Sequence, residues 1–131
     1  MIFQTLIKRA DLRANRDRLY LFGDNEARQG YGGQAAEMRD EPNAVGIAVK
    51  KRPSMSPDSL WTDADYFRCV AIIEQDMDRA FRHAEAGGAI VCPRAGVGTN
   101  RARLLSGAPL IWGFLRGRLV DLHRISGRNE G

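Results

Sequence analysis

Lys50 closes an apolar run, Ala44 to Val49, and opens the segment Lys50-Lys51-Arg52-Pro53-Ser54. A primary amine at the end of a buried strand is a nucleophile when burial and neighbouring cations depress its pKa, and a solvated charge otherwise. Two other segments have the composition of anion-binding turns. The first, Gly30-Tyr31-Gly32-Gly33-Gln34, stands directly before a predicted helix; the second is Pro93-Arg94-Ala95-Gly96-Val97-Gly98-Thr99-Asn100. Glycine admits turn conformations that expose successive backbone N–H groups to an anion, although such turns also occur without any ligand. Asp24 and Asn25 follow the apolar run Leu19-Tyr20-Leu21-Phe22. Their types suit a carboxylate working as acid or base beside a sugar and an amide bonding a ribose hydroxyl, or equally a pair that caps its own turn.

These residues need a scaffold that brings three loops to one edge. Met1 to Ile7 reads as a first or edge strand, and Ala10 to Asp17 as a helical turn. Leu19 to Phe22, Ala44 to Val49 and Ala89 to Cys92 are apolar on successive residues, as strands covered on both faces are. Between them lie a short helix from Gln34 to Arg39 and a long one capped by Thr62 or Asp63 and stopped at Gly87-Gly88. The long helix has Phe67, Val70, Met77, Phe81 and Ala84 at helical spacing, with Ala71 or Ile73 between. Pro109 starts a last helix, Leu110 to Leu119, with Ile111, Phe114, Leu115 and Leu119 as its core face, and Leu119 to Ile125 suggests a last strand. Strands alternating with helices predict a compact three-layer α/β fold with a mixed, mostly parallel central sheet. Ligands of such sheets sit beyond the carboxyl ends of the strands. Three consecutive strands end there in the segments singled out above.

The chain has 131 residues, 44% of them hydrophobic and 27% charged, which matches one globular domain, expected over residues 1–125 with a flexible tail at 126–131. No apolar run approaches the roughly 20 residues of a membrane span, and the N-terminus does not read as a secretory signal. Cys69 and Cys92 fall in predicted interior elements, so a reduced, cytoplasmic setting is expected, and neither cysteine nor His83 nor His123 has metal-site spacing. Trp61 and Tyr66 suit either packing or a wall of the ligand site. The net charge of +4 is uneven: residues 1–100 carry 14 Lys and Arg against 14 Asp and Glu, and residues 101–131 carry six Arg against Asp121 and Glu130. An arginine-rich end keeps DNA in play as a partner.

Taken in order, the three loops resemble those of a macrodomain, the α/β module that binds ADP-ribose. The likeness is to the branch of terminal ADP-ribose glycohydrolases and of antitoxins that remove ADP-ribose from DNA. Its motifs are Gly30-Tyr31-Gly32-Gly33-Gln34-Ala35, Val49-Lys50-Lys51-Arg52-Pro53-Ser54 and Pro93 to Arg101, together spanning roughly Leu19 to Leu104. The resemblance implies a glycosidase acting at C1 of a ribosyl or deoxyribosyl unit, with Lys50 as nucleophile and no cofactor. It implies ligand contacts from Asn25, Gly30, Gly32, Gly33, Gln34, Lys51, Ser54, Arg94, Gly96, Val97, Gly98, Thr99 and Asn100. The branch has an assisting aspartate where this chain has Asn100, so Asp24, or else Asp63 or Asp65, is expected to take that role. Two alternatives go with it: a non-catalytic ADP-ribose or nucleotide reader, and a DNA glycosylase acting on a modified base in phage defence.

Overall fold

Leu19 to Phe22 is buried residue by residue because both faces of its strand are covered. The structure, a computed structural model, describes residues 1–99 and 102–130. It contains β1 (Ile2–Gln4), α1 (Arg9–Ala14), β2 (Leu19–Asp24), α2 (Ala35–Met38), β3 (Ala44–Ala48), α3 (Tyr66–Glu85), β4 (Ile90–Pro93), α4 (Leu104–Gly107) and α5 (Pro109–Glu130). The sheet order is β1-β4-β2-β3. Every pairing is parallel, which corrects the expected mixed sheet.

The period of two along a strand sorts the core into two layers. Leu19 and Leu21 of β2, Val45 and Ile47 of β3, and Ile90 and Cys92 of β4 pack on α3 and α5 through Cys69, Ile73, Met77, Ile111 and Leu115. Tyr20, Phe22 and Val91 turn to the other side and meet Leu12 of α1 and Ala35 and Met38 of α2. The result is the expected α/β/α sandwich.

α3 ends at Glu85, just before Gly87-Gly88, as expected. Its buried stripe is Cys69, Ile73, Met77, Ala80 and Ala84. Phe67, expected on that face, is 86% exposed, because the stripe begins two residues later. The strand expected over Leu119 to Ile125 is helix instead, as is the segment after it expected as a tail: α5 runs unbroken to Glu130. Ile111, Leu115 and Leu122 continue one helical stripe into the core and Ser126 is fully buried, so α3 holds this helix well past Leu119. Trp61 is core rather than a wall of the site; it is 1% exposed and its indole N–H donates to the Glu26 carboxylate at 2.6 Å. Cys69 and Cys92 are free and buried, and burial raises both thiols to about 11, so they stay protonated and unreactive near neutral pH.

Glu41 and Asn43, just after α2, hold α1 in place. The Asn43 amide donates to the carbonyls of Leu12, Asn15 and Arg18. Glu41 receives Arg9 at 2.8 Å, Arg16 at 2.8 Å and Arg13 at 3.5 Å. The Arg9 hydrogen bond, helped by Arg16 and Arg13 and opposed by burial, lowers its carboxyl from 4.5 to about 2. A carboxyl with a folded pKa below its unfolded one contributes stability that is complete above the unfolded value and is lost as pH falls through the folded one. The urea midpoint should therefore fall steeply between about pH 4.5 and 2 in the native protein. Glu41→Gln should start lower at neutral pH and flatten that fall; an unchanged acid limb would refute the assignment.

Candidate functional site

The order of the strands creates a crevice. The chain leaving β2 passes into α2 on one face, and the chain leaving β4 leads into α5, which packs with α3 on the other. The chains leaving β2 and β4 therefore part to opposite faces at the carboxyl edge, which is where ligands enter sheets of this kind. A cleft of about 540 Å³ opens there, within the roughly 300–1,000 Å³ of small-molecule sites.

Gln34 ties its two halves together. Its side-chain oxygen accepts the Gly23 N–H at 2.8 Å, and its amide donates to the Gly96 carbonyl at 2.9 Å. The first glycine loop is thus anchored both to the end of β2 and to the second loop. α2 is a single turn, too short for a helix dipole of consequence, so any anion held here is held by loop N–H groups. Gly30 has φ +91°, and a Cβ there would stand 2.9 Å from Cβ of Pro53, in the loop after Lys50. Gly98 has φ +81° and packs between Leu104 and Val49. Both positions need glycine for conformation and for close approach.

Asp24 is buried at the end of β2, with its side chain 4% exposed. Its carboxylate meets Arg39 at 2.5 Å and Arg28 at 3.6 Å and accepts the Asn25 N–H at 2.8 Å. Arg39 also donates to the Gly30 carbonyl at 2.7 Å and the Gln29 carbonyl at 3.2 Å. Arg28, at φ +56°, grips Asp76 with two bonds of 2.7 and 2.9 Å. Asn25 spends its amide on the Gln29 carbonyl at 2.8 Å. Asp24 and Asn25 border the cleft, but their partners make them builders of the glycine loop. A carboxylate held between two guanidinium groups is committed to holding the loop in place.

Lys50 lines the cleft, and its ammonium donates to the Ser54 carbonyl at 3.3 Å. Its main chain is pinned on two sides, by a bridge to Leu60 and by Glu26 N–H donating to its carbonyl at 2.9 Å. Lys51 points elsewhere and pairs with Asp65 at 4.0 Å. Of the adjacent lysines one faces the cleft and one does not, as expected of a strand end.

The cleft brings together Asp24, Asn25, Gly30, Gly32, Gly33, Gln34, Lys50, Gly96, Gly98 and Thr99. Four expected ligand residues fall outside its lining. Lys51 is paired away, Val97 is 1% exposed in the core, and the Ser54 hydroxyl accepts the Ser56 N–H at 3.0 Å. Arg94 reaches back to Thr5 and the Phe3 carbonyl, stitching β4 to β1. Asn100 lies outside the described residues. Asp63 caps α5, accepting the N–H groups of Leu110 and Ile111 at 3.1 Å each, and Asp65 pairs with Lys51 and Arg68, so neither is a spare carboxylate for the cleft. None of the described arginines of residues 102–127 lines it, and Arg118 is bound to Glu74 and Asp121. Among the described residues no group of three or more His, Cys, Asp or Glu is placed to hold a metal ion, and no helix is long and apolar enough to cross a membrane.

Sequence reasoning missed Arg39, Tyr31, Met55 and Leu6, all of which line the cleft. The signal for Arg39 was indirect: a carboxylate closing an all-apolar strand needs a cation, and Arg39 ends the nearest helix.

Fold and cleft together define a three-layer α/β domain with a small-molecule-sized site at its strand switch point. The chain belongs to DUF7831, a family of unknown function, whose match covers residues 2–118 and with them all four strands. No curated protein and no solved structure matches it.

Proposed function

We propose that the cleft binds an ADP-ribosyl or related nucleotide-type ligand and that the protein is a macrodomain-like glycosidase, cleaving at C1 of the ribosyl or deoxyribosyl unit. The observation carrying this reading is that Lys50, alone of the adjacent lysines, lines the same cleft as both glycine loops. N–H groups of the two loops would take the phosphates. The Lys50 amine, once deprotonated, would attack C1; the C1–aglycone bond breaks and the aglycone leaves with the electron pair and a proton. The resulting glycosylamine opens to an imine, and water hydrolyses it to the free sugar and the amine.

One observation favours a second reading, a reader that binds without turnover. The carboxylate that would deliver the proton, Asp24, is held by Arg39 and Arg28. Calorimetry with ADP-ribose tests what the two readings share: saturable heat is expected, and no heat at millimolar ligand would sink both. Turnover separates them.

A further inference from the structure

The cleft changes character from its floor to its mouth. The floor is made of loop backbone, Gln34 and Lys50, whereas three large apolar side chains stand open to solvent among its lining residues: Leu6 at 67%, Tyr31 at 59% and Met55 at 58% exposure. They come from three different loops, those after β1, β2 and β3. The contact of Gly30 with Pro53 joins the second of these loops to the third, one residue before Tyr31 and two before Met55. Tyr31 is also held. Its hydroxyl donates to the Asp40 carboxylate, and Asp40 sits just beyond α2 at φ +76°, a conformation rare for a residue with a side chain. That bond keeps the phenol protonated, its pKa above the usual range. The ring is thus tethered by its polar end, and most of it is left uncovered.

A tethered aromatic ring with a polarizable thioether on the same rim suits a flat heteroaromatic group better than another apolar chain. Stacking of this kind accepts any base and requires no pre-formed hydrogen-bond pattern. We propose that the mouth is a nucleobase subsite: Tyr31 stacks on the base of a nucleoside diphosphate sugar, Met55 and Leu6 flank it, and the polar floor takes the phosphates and the ribose. Asp40 is the positioning residue for the ring. This rests on the nucleotide-type reading of the cleft and specifies which end of the ligand lies outermost.

The test compares two probes by calorimetry, ADP-ribose and ribose 5-phosphate, which lacks the base together with its ribose and one phosphate. The wild-type protein should prefer ADP-ribose by at least about tenfold, the scale of one stacked base. Tyr31→Ala should weaken ADP-ribose by about tenfold and leave ribose 5-phosphate unchanged, while Tyr31→Phe, which keeps the ring, should bind ADP-ribose within about threefold of wild type. Equal affinity of the two probes for wild type, or a Tyr31→Ala loss shared by both, would overturn the base subsite and leave the cleft reading standing. Failure of both probes to bind wild type would overturn both. Tyr31 is largely exposed, so the substitution leaves the core intact.

Discussion

Asp24→Ala destabilises the domain by about 3–5 kcal/mol, the cost of removing one partner from a buried ion pair. The size follows from what is left behind. Arg39 is only 11% exposed at its side chain and would lose the carboxylate that neutralises it, and Arg28 would lose its second anion. Arg39 also donates to the carbonyls of Gly30 and Gln29, so the first glycine loop would lose its anchor in the same step. Urea unfolding of the variant should show the lowered midpoint directly, and a melting temperature lower by about 10 °C or more should accompany it. Asp24→Asn, which keeps an acceptor for the Asn25 N–H, should lose less. A change below about 1 kcal/mol for the alanine variant would mean that the cluster is solvated rather than structural.

Lys50→Ala has the opposite signature: little change in stability and a large change in chemistry. The side chain lines an open cleft, and the main-chain ties to Glu26 and Leu60 that pin this residue are ones that alanine keeps. If the amine is the nucleophile, release of ADP-ribose from an ADP-ribosylated substrate should fall by about a thousandfold or more, with substrate binding retained within about tenfold. Lys50→Arg should not rescue turnover, because guanidinium is not a nucleophile near neutral pH. A variant that keeps turnover would reassign the chemistry to another residue.

The sheet was legible in the sequence because its strands are covered on both sides: Leu19 to Phe22, Ala44 to Val49 and Ala89 to Cys92 each carry unbroken apolar character, and each forms a strand within a residue or two. That these strands end at one ligand-facing edge followed from the same pattern. The reach of α5 was not legible, because among the residues described past Leu119 only Leu122 and Ser126 are buried, too sparse a stripe to separate helix from strand. Phe67 misled for the complementary reason, since a large apolar residue at helical spacing can sit beside the stripe as easily as on it. At the site, the glycine loops and Lys50 were visible from residue type and position, while the role of Asp24 was not. Its environment is set by Arg28 and Arg39, 4 and 15 residues away, whose approach depends on the left-handed turn at Arg28 and the chain reversal after α2. Asp24 reads from sequence as a chemical residue, and the fold uses it as a structural one.

The central claim is that Lys50 bonds to C1 of a sugar held by the two glycine loops. Its most direct measurement is reductive trapping: protein and ADP-ribose with cyanoborohydride, followed by peptide mass mapping of the adduct. The account predicts one predominant adduct, on Lys50, absent from Lys50→Ala and suppressed by a non-reducible nucleotide competitor. An adduct spread over surface lysines, or one that survives in Lys50→Ala, would contradict it.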